Sequence, residues 1–225
     1  MEHLSPVPES VIDALPVLDA NQLGRSIRRH TEMEGLPDLD GIKVAIIGVQ
    51  EDRRAYRNVG CDGAADTIRP YLYQLYKGKW DFGIADLGNL YKGERHTDTL
   101  LLLKEIAQEM LQRQIVLITI GGSQELTYAN YRGYDSLEQT VNIVSVDARL
   151  DVGSEGRELD HQSYVSHLVL QEPHNLYNFT NLGYQTYFNS PEEIALIDKL
   201  FFEAVRLGHI QNQISRSEPF LRDAD

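Results

Sequence analysis

Two stretches of the sequence constrain the fold more than any other feature. The first, Ile115–Thr127, reads IVLITIGGSQELT, and the second, Val141–Asp151, reads VNIVSVDARLD. Each begins as an apolar run rich in β-branched residues and ends abruptly in small or polar residues, which is typical of a strand buried on both faces of a parallel sheet. Open α/β sheets bind ligands at the carboxyl ends of their strands. We therefore expect the polar residues after these two runs to carry the chemistry.

Acidic and basic residues alternate at the end of the second stretch, where Asp147, Arg149 and Asp151 are separated by one residue each. In an extended chain, side chains two residues apart point to the same side. If the strand continues past Val146, two carboxylates flank one guanidinium at the rim of the sheet. We therefore predict that Arg149 lies within salt-bridge distance of Asp147 or Asp151.

The remaining segments complete an alternating pattern of strands and helices. Gly41–Gly48 is a buried apolar run between glycines, and Thr97–Gln114 places apolar residues on one helical face before the Ile115 run. A strand, a helix and a strand in this order imply parallel pairing with a right-handed crossover. With shorter strands at Trp80–Leu87 and Asn178–Gln185, the sequence predicts a three-layer α/β/α sandwich with a mainly parallel central sheet of roughly five strands.

The two ends of the chain differ from this pattern. Residues 1–20 carry three of the eight prolines, so we expect residues 1–40 to form an extended arm and a short helix, and the arm to pack on a neighbouring subunit. Residues 41–225 are predicted to form one α/β domain. Its last residues are similar to the lead-in to another buried strand, so we expect this domain to be truncated at its C-terminal end.

A helix start is encoded after the last predicted strand. Ser190 can act as N-cap, a proline follows it, and Glu193 can close a capping box. We predict a helix that runs to about Leu207 and stops at Gly208.

Composition excludes several classes of partner. The 225 residues carry a net charge of -13, and no basic run is present to neutralise phosphates, which argues against nucleic acid and against an anionic membrane. No apolar run approaches the roughly 20 residues that span a bilayer. The single cysteine, Cys61, excludes an intramolecular disulfide and fits a reducing compartment. We expect a cytoplasmic protein.

The ordered set of motifs resembles the ureohydrolases, which comprise arginase, agmatinase and formiminoglutamase. Its first segments are VAIIGV and NVGCDGAADTIRPYL; GGSQELT at Gly121–Thr127 then resembles the family's Gly-Gly-Asp-His motif, and Asp147–Asp151 resembles its Asp-Ala-His-x-Asp motif. NLGYQTYFNSPEEIALIDKL extends the resemblance to nearly the whole chain beyond residue 40. It is closest to a divergent, formiminoglutamase-like branch.

The resemblance implies a three-layer α/β sandwich and, in active members, a binuclear manganese site that activates a bridging water. Asp147 and Asp151 match metal-ligand positions. Gln124 and Arg149 replace ligand histidines, and Ser123 replaces an aspartate. The resemblance therefore implies Asp147 and Asp151 as vestigial metal positions and the other three as pocket residues.

The substitutions weaken a metal site on chemical grounds. Two metal ions need several anionic or imidazole ligands. The Gln124 amide is a neutral, weak ligand, and Arg149 cannot deprotonate to become one. We therefore expect a homologue that has lost the binuclear site and hydrolysis, a pseudo-enzyme or binding protein with no catalytic residue and no cofactor.

Three alternatives stay open. The first is an active manganese-dependent hydrolase of linear amidine or guanidine C–N bonds, whose missing carboxylates come from a longer natural chain. The second is a small-molecule sensor that keeps the pocket, and the third is an ordinary surface cluster of ion pairs. The expected partners are a small amidine or guanidine ligand and, because ureohydrolases are commonly oligomers, further copies of the chain.

Overall fold

The computed structural model describes residues 3–137, 139–154 and 156–222, which form two compact units, one up to Gly133 and one from Tyr134. The strands are β1 (Leu4–Ser5), β2 (Arg28–Arg29), β3 (Ile42–Gln50), β4 (Gly83–Tyr91), β5 (Val116–Ile120), β6 (Val141–Val146), β7 (Leu176–Tyr184) and β8 (Glu203–Arg206). The helices are α1 (Glu9–Asp13), α2 (Leu23–Ser26), α3 (Ala64–Gln74), α4 (His96–Gln112), α5 (Leu126–Arg132), α6 (Tyr164–Leu170), α7 (Pro191–Lys199), α8 (Leu207–Ile210) and α9 (Glu218–Arg222).

The first unit is built on a sheet with the strand order β1-β4-β3-β5, and β2 also pairs with β4. β3 is parallel to both β4 and β5. Ala45 and Ile47, successive same-side residues of β3, are fully buried, and so is Ile46 on the other side. The strand is thus covered on both faces, as its unbroken apolar run predicts.

The second unit contains the parallel sheet β6-β7-β8. Its strands and those of the first unit confirm the predicted α/β class and the mainly parallel pairing. The predicted strands near residues 43–48, 115–120 and 141–147 are present within one or two residues. Within the described ranges, no helix is long and apolar enough to cross a membrane.

The N-terminal arm packs on its own unit. β1 pairs antiparallel with β4, and Val7 and Val11 are buried. Apolar side chains in the proline-containing segment thus find a local surface to cover, and the arm is not the fully extended segment that the prolines predicted. The domain boundary near residue 40 stays a prediction.

The helix after Ser190 begins as predicted and ends earlier. Ser190 Oγ accepts a hydrogen bond from Glu193 N at 3.1 Å and Glu193 Oε2 accepts one from Ser190 N at 2.7 Å, which completes the capping box. The helix α7 ends at Lys199, so the predicted end at Leu207 is wrong. The chain instead enters β8, because Val205 becomes buried there while β8 pairs with β7.

A buried ionic network holds α3 against β4 in the first unit. The guanidinium of Arg69, fully buried, donates from Nε and Nη2 to the two carboxylate oxygens of Asp86 at 2.9 and 3.0 Å. It also donates to Gly88 O at 2.8 Å and to Asn89 Oδ1 at 2.6 Å. Tyr73 Oη donates to Asp86 at 2.8 Å. Each buried charge is therefore paired and hydrogen-bonded, the condition under which burial of charge is tolerated.

Removal of the buried carboxylate is expected to destabilise the fold. Asp86→Ala removes the fully buried partner of Arg69 and leaves only the partly exposed Asp66, 2.7 Å from Arg69 Nη1, as its counter-charge, which costs about 3 kcal/mol in free energy of unfolding. Urea denaturation followed by circular dichroism measures this loss. The matched control is Glu109→Ala, which breaks the exposed pair with Arg113 and should cost about 1 kcal/mol or less. Equal losses in the two variants would contradict the assigned role of the network.

Candidate functional site

The turn that follows β6 carries three of the predicted site residues. The strand ends at Val146, and Asp151 has a positive φ of 50°, so the extended alternation predicted for Asp147–Asp151 is wrong. Asp147 Oδ1 accepts a hydrogen bond from Arg149 N at 2.8 Å. Beyond Val146, side-chain hydrogen bonds thus stabilise the backbone of this segment in place of the hydrogen bonds between strands.

Two buried asparagines that lie outside the turn, Asn181 and Asn189, form hydrogen bonds with its backbone. Asn189 Oδ1 accepts from Leu150 N at 2.8 Å, and Asn189 Nδ2 donates to Ala148 O at 3.0 Å. Asn181 Nδ2 donates to Arg149 O at 2.9 Å. The backbone that carries the two aspartates is therefore fixed by amide side chains from β7 and from the segment before α7.

The Arg149 side chain points to Phe188 and not to the carboxylates. Its Nη1 donates to Phe188 O at 2.8 Å, and its Cζ lies 5.3 Å from the centroid of the Phe188 ring. Among the described residues it forms no ion pair with Asp147 or Asp151, so the predicted salt bridge is wrong. A cation over an aromatic face and a carbonyl acceptor stabilise the guanidinium here.

Asp151 is a carboxylate in an unfavourable environment. It is 4% exposed, and this burial raises its pKa to about 8, with the negative charge of Asp147 acting in the same direction and Arg149 opposing it. Oxygen ligands of this kind suit hard divalent cations, so the two carboxylates fit part of a metal site. In the part of the chain that the structure describes, no group of three or more His, Cys, Asp or Glu side chains could hold a metal ion.

The loop after β5 carries two further predicted pocket residues, Ser123 and Gln124. Gly121 and Gly122 precede them with φ of 85° and 73°. A Cβ at Gly122 would lie 2.8 Å from Glu51 O, and Ser123 N donates to that same oxygen at 2.9 Å. Only glycine permits this close approach of the two backbone segments.

A buried carboxylate organises this loop. Glu125, fully buried, accepts at Oε1 from Ser123 Oγ at 2.5 Å, and the same oxygen lies 3.1 Å from His96 Nε2. Glu125 Oε2 has no hydrogen-bond partner among the residues described. Sequence reasoning missed both Glu125 and His96. The position of Glu125 within GGSQE was a signal for the first, whereas nothing in the sequence pairs it with His96.

A second buried carboxylate lies at the carboxyl end of β3. Thr99 Oγ1 donates to Glu51 Oε2 at 2.9 Å, and Arg53 donates to Glu51 from both its backbone and its guanidinium. Burial alone would raise the pKa of Glu51, but the hydrogen bonds from Arg53 and Thr99 and the charge of Arg53 outweigh it, so the pKa lies below its ordinary value.

The predicted site residues fall into two groups. Ser123 and Gln124 lie in the first unit, whereas Asp147, Arg149 and Asp151 lie in the second. Each group is organised within its own unit by the hydrogen bonds described above. Their assignment to a single pocket stays a prediction.

Comparisons with known proteins give a consistent family. The model of the Arginase family matches residues 42–218. A formimidoylglutamase of Streptococcus gordonii is 28% identical over 125 residues, which are 52% of this chain and 38% of that protein. A formimidoylglutamase of Streptococcus pyogenes is 27% identical over 130 residues, or 54% of this chain and 40% of that protein. The match therefore spans less than half the length of these relatives.

Solved structures with the same fold carry the same names. The formimidoylglutamase of Bacillus subtilis superimposes with a TM-score of 0.78 at 17% identity, covering 94% of this chain and 68% of that one. The formiminoglutamase of Trypanosoma cruzi, solved with manganese, gives a TM-score of 0.73 at 17% identity and covers 90% of this chain and 70% of that one. At this identity the likeness establishes the fold.

The environment of Glu51 predicts a pH-dependent stability. Because its pKa is lowered from 4.5 in the folded chain, ionised Glu51 stabilises the fold above pH 4.5, and this contribution is lost as the pH falls through the folded value. Glu51→Gln should therefore cost about 1.5–3 kcal/mol at pH 7 and progressively less below pH 4.5. Urea unfolding across this range measures the difference. Glu109→Gln, in an exposed pair, serves as control, and a pH-independent cost of Glu51→Gln would contradict the assignment.

Proposed function

The chain belongs to the arginase family, and we propose that it is a metal-dependent hydrolase of a linear amidine. The observation that carries the proposal is the pair Asp147 and Asp151 at the carboxyl end of β6, with the Arg149 guanidinium directed to Phe188. The expected loss of the metal site was based on Gln124 and Arg149 in place of ligand histidines, and the ion pair predicted between Arg149 and the aspartates is absent among the described residues. Without that ion pair, a divalent cation is the natural counter-charge for this pair.

The reaction class follows from the family relatives. In the hydrolysis of an amidine, the carbon gains a bond to the oxygen of water, its bond to the leaving nitrogen breaks, and that nitrogen leaves as an amine after it takes up a proton. The names formimidoylglutamase and formiminoglutamase indicate a formimidoyl group on glutamate for the relatives. We extend this substrate class to the present chain.

The residues of the chain have distinct roles in this proposal. Asp147 and Asp151 would hold part of a manganese site, and the bound metal would supply a Lewis acid and a water of lowered pKa. Gln124, a neutral amide, can both donate to and accept from the nitrogens of an amidine. Ser123 donates its own proton to Glu125, so its oxygen keeps lone pairs for a substrate N–H. The hydrogen bonds from Asn181 and Asn189 hold the turn from Asp147 to Asp151 in one conformation.

A second candidate function is a binding homologue without hydrolysis. It is favoured by the amide of Gln124 and the guanidinium of Arg149 at positions where the family carries histidine ligands. It keeps the expectation of a small amidine or guanidine ligand. The expectation of a homo-oligomer is common to both candidates and stays a prediction.

Metal loading and turnover distinguish the two candidates. The purified chain is incubated with MnCl₂, desalted and assayed for bound manganese by atomic absorption and for release of glutamate from N-formimidoyl-L-glutamate. The hydrolase predicts bound manganese and turnover, and Asp147→Asn and Asp151→Asn should each lower turnover by at least roughly a hundredfold, because loss of a ligand exceeds the effect of losing an outer-shell partner. The control is Asp198→Asn, an exposed aspartate of α7.

The opposite results are equally clear. Absence of both manganese and turnover, with retained binding of the intact substrate, supports the binding homologue. Turnover that survives in Asp147→Asn and Asp151→Asn at the level of Asp198→Asn would refute the role assigned to the aspartate pair.

A further inference from the structure

A cavity lies at the carboxyl edge of the β6-β7-β8 sheet. It has a volume of about 440 Å³ and is lined by residues that directly follow β7 and by residues at and after the end of β8, among them Tyr184, Gln185, Thr186, Tyr187, Arg206 and His209. The sheet register places Tyr184, the last residue of β7, opposite Arg206, the last residue of β8. The cavity thus occupies the place where open parallel sheets bind ligands, and none of the roles proposed above uses it.

The polar side chains that line this cavity can donate hydrogen bonds, and none of the lining residues carries a carboxylate. Arg206 carries a fixed positive charge and forms no ion pair with any other residue in the described ranges. His209 offers an imidazole N–H in either protonation state, and the two tyrosines add hydroxyl groups. The chain as a whole carries a net charge of -13. The residues that line this cavity, in contrast, include an arginine and no acidic residue.

One buried polar atom at the cavity is unsatisfied. Thr186 Oγ1 has no solvent-accessible surface of note and no hydrogen-bond partner among the described residues. A buried hydroxyl without a partner costs free energy, so such a group calls for an explanation. Rotation of the Thr186 side chain towards the cavity would let the hydroxyl donate to an acceptor atom of a ligand and remove this cost.

The backbone of the cavity wall that follows β7 is held by two hydrogen bonds. Gln185 N donates to Ala148 O at 2.9 Å, which connects this wall to the turn from Asp147 to Asp151. Asn189 Nδ2 donates to Gln185 O at 2.9 Å. A preformed backbone wall reduces the ordering cost of binding a small ligand.

We propose that this cavity binds the carboxylate of a small organic acid, with Arg206 as the charged anchor and Thr186 as a hydroxyl donor. The planar guanidinium matches a carboxylate in a bidentate geometry. A phosphate dianion is less well matched, because Arg206 is the one permanent cation among the lining residues. The site does not depend on metal binding or on hydrolysis.

Titration of the metal-free chain with three probes tests the proposal. Glutarate carries the carboxylates, glutaramide is its neutral counterpart of the same shape, and inorganic phosphate is the alternative oxyanion. Isothermal titration calorimetry should show saturable binding of glutarate that is at least about tenfold tighter than that of glutaramide, because the amide cannot pair with the guanidinium. Binding of glutaramide as tight as glutarate, or of phosphate alone, overturns the assignment to a carboxylate.

Two variants and a control locate the site. Arg206→Gln should weaken glutarate binding at least about tenfold. Thr186→Val should also weaken it, while leaving the thermal midpoint unchanged or raised, since it removes an unsatisfied hydroxyl; a merely structural threonine would instead lower the midpoint. Arg222→Gln, an exposed arginine paired with Glu218, should leave binding unchanged. Retention of wild-type affinity in Arg206→Gln refutes the proposal.

Discussion

Burial of parallel strands on both faces is the constraint on which the rest of this structure depends. A strand such as β3 can offer only apolar side chains to its two neighbouring layers, so polar groups are displaced to the positions where strands end. Glu51 follows β3, Ser123 follows β5, and Asp147 follows β6. At β3 the burial that stabilises the sheet thus places a polar group at the carboxyl end, whereas β5 and β6 keep exposed side chains at Val116 and Val146 although polar residues also follow them.

Buried polar groups in this chain are of two kinds. Arg69 and Asp86 satisfy each other and are further bonded to neighbours, so they serve the fold. Glu125 and Thr186 each keep one buried oxygen without a partner among the described residues. Because an unsatisfied polar atom reduces stability, its presence beside a strand end indicates a role that the folded chain alone does not complete.

The sequence position of Arg149 did not predict the partner of its side chain. Its position between two aspartates makes an ion pair the simplest expectation, and Coulombic attraction would favour it. The turn that begins after Val146 changes the direction of the side chain, and Phe188 offers both a carbonyl and a ring face. Among the described residues the guanidinium forms no ion pair with either aspartate, although its charge still opposes the burial-driven rise in the pKa of Asp151, so a further cation can act as counter-charge at this place.

The sequence by itself determined the elements whose signals are local. The apolar runs located β3, β5 and β6, the capping residues located the start of α7, and the spacing of two motifs indicated the arginase family. Tertiary structure alone decided where α7 ends, because β8 forms only by pairing with β7. It also brought His96 to Glu125 and Arg206 opposite Tyr184. Contacts between residues far apart in the chain depend on strand order and register, which a local pattern of residues does not specify.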